Sequence, residues 1–171
     1  EGMTSMDHAF VYHSEAPFGA MLKQAPQLRD RMEIISKFGI RPTDFGRLGA
    51  DKTNHYESTA SYLFESVENS LRDLNTDRID VMLVHRPDFL MDADELAGAF
   101  ERLIADGKVL SFGVSNFSVS QFRLLQSRYS KPLVTNQVEL SVVNMGVLHD
   151  GTADQCQKLG IAPMAWSPLA G

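Results

Sequence analysis

The chain has 171 residues, room for one domain with a core of its own, and 16 Lys and Arg against 22 Asp and Glu leave a formal charge of −6. That balance, with no basic cluster to offset it, argues against nucleic acid as a partner; no apolar run approaches the ~18 residues of a membrane span, and no secretory signal stands out. The single cysteine, Cys156, has no mate for an internal disulfide, so a reducing, cytoplasmic setting is expected.

The elements alternate short β-rich runs with amphipathic helices. "MTSM" (3–6) reads as a strand that stops near Asp7. Asp7 and Tyr12 are five residues apart, an odd spacing that would put them on opposite faces of one continuous strand. If they work together, the chain must turn back after Asp7. A helix is expected near 17–24, and "MEIISK" (32–37) reads as a buried strand. The stretch 38–57, with Gly39, Pro42, Gly46 and Gly49, reads as a long polar loop of the kind that often carries function. Residues 58–74 form a strong helical pattern, with Leu63, Phe64, Val67, Leu71 and Leu74 on one face and Ser58 placed to cap it.

"IDVMLVH" (79–85) is a buried strand, and 92–107 a helix with Leu96, Phe100, Leu103 and Ile104 on one face and Gly107 to stop it. "VLSFGVSN" (109–116) is a strand; Ser118 with Gln121 signals a capping box for the next helix. "LVTNQVEL" (133–140) reads as a strand, 152–160 as a helix ending at Gly160, and "IAPMAWS" (161–167) as a strand weakened by Pro163. Strands separated by helices, about six units in all, predict a parallel sheet covered by helices within one domain spanning 1–171. Neither a G-x-G-x-x-G nor a P-loop motif occurs.

The residues at the strand ends are Asp7, Lys37, His85, Ser115 with Asn116, Gln137 and Ser167; all are polar and all follow apolar runs. In a (β/α)8 barrel such ends gather on one face, where active sites are built. Asp, Lys, Tyr and His together suit reduction of a carbonyl. Tyr12 would give a proton to the new alkoxide, Lys37 would lower the phenol's pKa, Asp7 would hold Lys37, and His85 would orient the carbonyl. Ser115, Asn116 and Gln137 have the donors and acceptors to grip a carboxamide, and "SPLAG" (167–171) can offer backbone N–H groups to a phosphate. His8, His13, His55, Tyr56 and His149 show no metal-ligand spacing and read as loop or surface residues, and the scattered methionines read as gap fillers.

"DHAFVY" (7–12), "IISK" (34–37), "LVHRPD" (83–88), "GKVLSFGVSNF" (107–117), "TNQVELS" (135–141) and "MAWSPLAG" (164–171), in this order and spacing, resemble the aldo-keto reductases across nearly the whole chain. The resemblance implies an α/β fold, the parallel (β/α)8 TIM barrel, here incomplete and holding about strands two to seven. It implies reduction of small aldehydes and ketones with NADPH, and a catalytic tetrad of Asp7, Tyr12, Lys37 and His85. It implies that Ser115, Asn116 and Gln137 hold the nicotinamide amide, that Trp166 stacks on the ring, and that Ser167, Pro168 and Leu169 meet the pyrophosphate. The segment after Tyr12, "HSEAPFG", is about three residues shorter than the family's usual loop, and the 2′-phosphate-reading region and the substrate loop fall outside this sequence.

Two other readings stand beside the enzyme. One is a non-catalytic, cofactor-binding or regulatory relative, motivated by the shortened loop and the missing ends. The other is a barrel hydrolase pairing Glu139 with Asp7, for which a Lys at position 37 has no role. The physiological substrate and the oligomeric state are not encoded in any motif of the chain.

Overall fold

A computed structural model describes residues 2–42 and 55–170 of the chain, so Gly46 and Gly49 of the long polar stretch, and Gly171 of "SPLAG", lie outside the described residues. Six strands, β1 (Ser5–Asp7), β2 (Glu33–Phe38), β5 (Ile79–Val84), β6 (Val109–Ser115), β7 (Asn136–Glu139) and β8 (Met164–Trp166), form one sheet in that order. Every neighbouring pair is parallel. The order never reverses, so there is no switch-point crevice of the doubly wound kind; strands are added one after another, as in a barrel. The ends of the long stretch differ from the loop expected for them. Ile40–Arg41 (β3) and His55–Tyr56 (β4) pair antiparallel as a short ribbon.

The helices are α1 (Glu15–Gln24), α2 (Ala60–Leu74), α3 (Ala93–Ala105), α4 (Val119–Arg128) and α5 (Thr152–Leu159). Their caps largely follow the sequence. Asp92 accepts from the N–H groups of Asp94 and Glu95, Ser118 and Gln121 complete the capping box, and Gly107 and Gly160 take the positive φ that ends a helix. The cap of α2 is a correction: Thr59, not Ser58, accepts from the N–H of Tyr62. Ser58 is buried, and its backbone N–H donates to Asp88 Oδ2 at 3.0 Å. Helix α1 begins two residues earlier than expected, because Pro17 falls in the first turn, where no N–H is needed. Strand β7 is shorter than 133–140, although Val134 N–H to Phe112 O at 2.9 Å continues the pairing along β6.

Burial divides into two shells. The larger lies between sheet and helices and is built on Ile34, Leu63, Val67, Phe100, Phe112, Leu103 and their neighbours, with Phe100 and Phe112 stacked at 3.8 Å between centroids. The smaller lies on the other face of the sheet, where Ile35, Val81 and Leu83 meet Val134 and Met164. Gly113 makes this inner layer possible, since a Cβ there would sit 2.8 Å from Leu83 Cδ2. The methionines are not uniformly fillers: Met82 is fully buried, but Met3 and Met145 are exposed.

Two contacts set the frame that carries the site. At the start of the strands, Arg29 donates to Thr76 Oγ1 (2.7 Å), Met32 O (3.0 Å), Arg78 O (2.9 Å) and Asp80 Oδ2 (2.8 Å), tying β2 to β5. Between the first two helices, Gly19 lies so close to α2 that an added Cβ would be 2.0 Å from Asp73 O. Gly19→Ala is therefore expected to lower stability by at least ~2 kcal/mol, read as a fall in the urea midpoint of the complete protein.

Candidate active site

Strand β1 ends at Asp7, and a 3-10 turn over Phe10–Tyr12 folds the chain back across the strand tips. His13 closes that turn at φ +55°. The odd spacing is thereby resolved, for Tyr12 reaches the side on which β2 and β5 end. Tyr12 Oη lies 3.2 Å from His85 Nε2, with the two rings edge to face. Lys37, 1% exposed, donates to Asp7 Oδ1 at 2.7 Å and to His8 O at 2.8 Å. Its Nζ stands 4.9 Å from the centre of the Tyr12 ring. An ammonium has three donors, so one remains for the cleft side. Asp7 is also held from across the sheet by Gln137 Nε2 at 3.0 Å.

The electrostatics correct one expectation. Lys37 does not bring the Tyr12 phenol below its ordinary value. The phenol stands above its ordinary value, first through burial and then through Asp7, and the cation that pulls it down is Arg86. Asp7 offsets part of the ammonium's charge, and the ammonium stands 4.9 Å from the centre of the Tyr12 ring. Burial lowers the Lys37 ammonium, and Asp7 opposes that fall.

Burial, then Lys37 and Arg86, push His85 down to about 4, so it is a neutral imidazole near pH 7. A folded state that resists protonation loses stability where the unfolded chain binds the proton. Stability should thus decline as pH falls from 6.5 through about 4, by as much as ~3 kcal/mol from this group, and His8 acts in the same direction. Thermal melts of wild type and His85→Asn across that range check this: the variant should show the shallower decline.

Tyr12, His85, Arg86, Ser115, Asn116, Gln137, Trp166 and Ser167 line one cleft of about 420 Å³. Asn116, at φ +60°, turns its amide so that Nδ2 donates to Ser115 Oγ (2.8 Å) and Oδ1 accepts from Trp166 Nε1 (2.9 Å). Ser115 Oγ donates to Gln137 O at 3.0 Å. The three residues read as a carboxamide grip are therefore already bonded to each other or to the tetrad, and an incoming amide would exchange with these bonds. A cleft of this size walled by an indole, two amides and a hydroxyl suits a flat aromatic carboxamide, so the residues present fit a nicotinamide ring. Ser167 belongs to the cleft, whereas Pro168 and Leu169 do not line it; Leu169 is 94% exposed.

Glu139 lies in a second cleft, of about 390 Å³, beyond Asn116 and Trp166. Asp7 is instead bonded to Lys37 and Gln137, an arrangement that gives the hydrolase pairing no support. Arg86, passed over in the sequence, lines both clefts, with its guanidinium carbon 5.6 Å from the centre of the Trp166 ring. His8 is a loop residue, as expected, but not a surface one. It is buried, its Nδ1 is 3.0 Å from Ser14 Oγ, and its ring packs on Phe18. Among the described residues no three His, Cys, Asp or Glu side chains gather as a metal site, and no helix is long and apolar enough to cross a membrane.

Comparison with known proteins gives the same direction. The sequence model of the aldo/keto reductase family matches residues 1–171. The chain is 51% identical over 173 residues to oxidoreductase YdhF of Escherichia coli, covering 99% of this chain and 57% of that protein. It is 46% identical to the 6-dehydroglucose reductase of Agrobacterium fabrum, over 100% of this chain and 58% of that one. Its fold superposes with a TM-score of 0.79, at 29% identity, on an aldo/keto reductase of Klebsiella pneumoniae solved with NADP and acetate, covering 99% of this chain and 54% of that one. The chain thus spans somewhat over half the length of the curated relatives it matches. Its six-stranded parallel sheet is a portion of the (β/α)8 barrel of those structures. Tetrad-like geometry, sheet order and sequence together establish that the chain belongs to the aldo/keto reductase family.

Proposed function

We propose that the complete protein reduces small aldehydes or ketones to alcohols with NADPH, and that Tyr12 supplies the proton. The observation that carries this reading is the meeting of Tyr12 Oη and His85 Nε2 at 3.2 Å on the wall of one cleft, with the Asp7-bound Lys37 Nζ 4.9 Å from the centre of the Tyr12 ring. NADPH, when bound, supplies the hydride. Ser115, Asn116 and Gln137 would hold its carboxamide, and Trp166 would cover its ring.

A carbonyl oxygen seated between Tyr12 and His85 accepts a hydrogen bond from each, with His85 neutral. As the carbon gains the hydride, the C=O π electrons move to oxygen, and the Tyr12 O–H bond breaks to protonate it. A phenol is protonated at neutral pH, so Tyr12 has a proton to give; burial and Asp7, which raise it, work against the transfer, and Arg86 works for it. The phenolate left behind has Lys37 over its ring and regains its proton from solvent.

The test is the loss of NADPH absorbance on adding simple aldehydes or an aldehyde-bearing sugar, the latter prompted by the relative named 6-dehydroglucose reductase. Turnover supports the reading. Tight NADPH binding with no turnover of any carbonyl would replace it with the non-catalytic, cofactor-binding one.

A further inference from the structure

Glu15 is the buried carboxyl group that this chemistry does not use. It lies in the first turn of α1, three residues after Tyr12, and is 2% exposed. Its Oε1 accepts from Ser36 Oγ at 2.5 Å. Its Oε2 has no hydrogen-bond partner among the described residues, and neither has the buried hydroxyl of Ser70, which faces it from α2. The charged groups that bear on it are Asp73 of α2 and Lys37 of β2. A carboxylate with only the neutral hydroxyls of Ser36 and Ser70 to support it is an expensive thing to bury. A carboxylic acid there has no charge to desolvate: Oε1 still accepts from Ser36, and Oε2 and Ser70 can pair in either protonation state. Burial moves Glu15 toward the protonated form, with Asp73 behind it, against the hydrogen bonds of Ser36 and Ser70.

The neighbours of Glu15 suggest what the arrangement does. The segment carrying Tyr12 is fastened at both ends to adjacent residues of one strand. At its start, His8 O accepts from Lys37; at its end, Glu15 accepts from Ser36. Ser36 and Lys37 point to opposite faces of β2, one toward the helices and one toward the cleft. Inside the segment, His8 Nδ1 and Ser14 Oγ, 3.0 Å apart, close the loop on itself.

We infer that Glu15 is a positioning residue for Tyr12: its carboxyl ties the turn that carries the phenol to the strand that carries the ammonium. The inference rests on Tyr12 having the role proposed above, and it names the group that sets where the phenol stands.

The experiment uses Glu15→Gln, Glu15→Ala and Ser36→Ala in the complete protein. Glu15→Ala and Ser36→Ala should lower kcat ~10-fold with the KM for NADPH nearly unchanged, because a loosened turn misplaces the acid and leaves the cofactor residues alone. Glu15→Gln should retain most of kcat, since its amide oxygen accepts from Ser36 and its NH2 donates to Ser70.

The second readout is the titration of Tyr12 itself, taken as the ultraviolet difference between each protein and its Tyr12→Phe counterpart. Its midpoint should fall toward the ordinary value of about 10 in the two loosened variants and stay in place in Glu15→Gln. An identical midpoint in wild type and Ser36→Ala, or a Gln variant that shifts as far as Ala, would overturn the inference. Ser36→Ala removes one oxygen only, so it carries the test if Glu15→Ala does not fold. The titration needs no turnover, so a wild type that reduces nothing would remove the reductase reading and leave this arm intact.

Discussion

Tyr12→Phe in the complete protein is expected to lower kcat for carbonyl reduction by ~10²–10⁴-fold, the range a positioned general acid contributes. The ring stays, so its edge-to-face contact with His85 and its packing over Lys37 stay too. Half-exposed as it is, the side chain leaves no buried cavity when the oxygen goes, and only His85 Nε2 loses a partner, so the melting temperature should fall by no more than a few degrees. Affinity for NADPH should change little, because the carboxamide residues are tied to Trp166 and to one another, not to the phenol. Steady-state kinetics with NADPH fluorescence titration separate the two quantities. A variant that keeps its rate would show that another group, or water, gives the proton.

Lys37→Met should separate activity from stability. Methionine fills much the same volume without the charge. Removing one member of a buried ion pair usually exposes the other as an uncompensated charge. Here Asp7 is spared that fate: its side chain is 38% accessible and keeps the bond from Gln137. The lost donor to His8 O costs about 1 kcal/mol, and relief from burying an ammonium offsets it. Stability is therefore expected to stay within ~2 kcal/mol of wild type, while kcat falls by ~10³-fold because the phenolate left after proton transfer loses its cation. Denaturant unfolding and initial rates on the same preparation check both halves. A stable variant with wild-type turnover would remove Lys37 from the mechanism. A variant that unfolds would show the pair to be structural first.

The parts of this site that were readable in the sequence share one property: they interrupt an apolar run. Lys37 ends "EIIS", His85 ends "VMLV", and Gln137 sits within "TNQVEL"; each stands out because burial of a polar group must have a reason. Sheet and helices were legible for the related reason that hydrophobic period reports burial on one face or two. Other features carry no such mark. Glu15 follows a Ser and precedes Ala-Pro, a context that reads as an exposed first turn, and only the close approach of α2 at Gly19 buries it. His8 looks like loop until Phe18 of the following helix covers its ring. Ser58 and Thr59 are equally good caps on paper, and the tertiary bond from Ser58 N–H to Asp88 decides between them. The β3–β4 ribbon depends on a pairing that no local signal announces. The upward direction of the Tyr12 shift is likewise unmarked in the sequence, because it depends on burial and then on the nearness of Asp7.

The division of the sheet's two faces has a consequence for how such a protein can change. Among the described residues, nearly all the buried large apolar side chains are invested beneath the helices, while the inner layer is three residues and two partial neighbours deep. The chemistry occupies the rim above that thin layer. Drift in the tips of the strands and the turns beyond them can therefore retune what is recognised without disturbing the foundation, and descendants of one scaffold can diverge in diet while melting at much the same temperature.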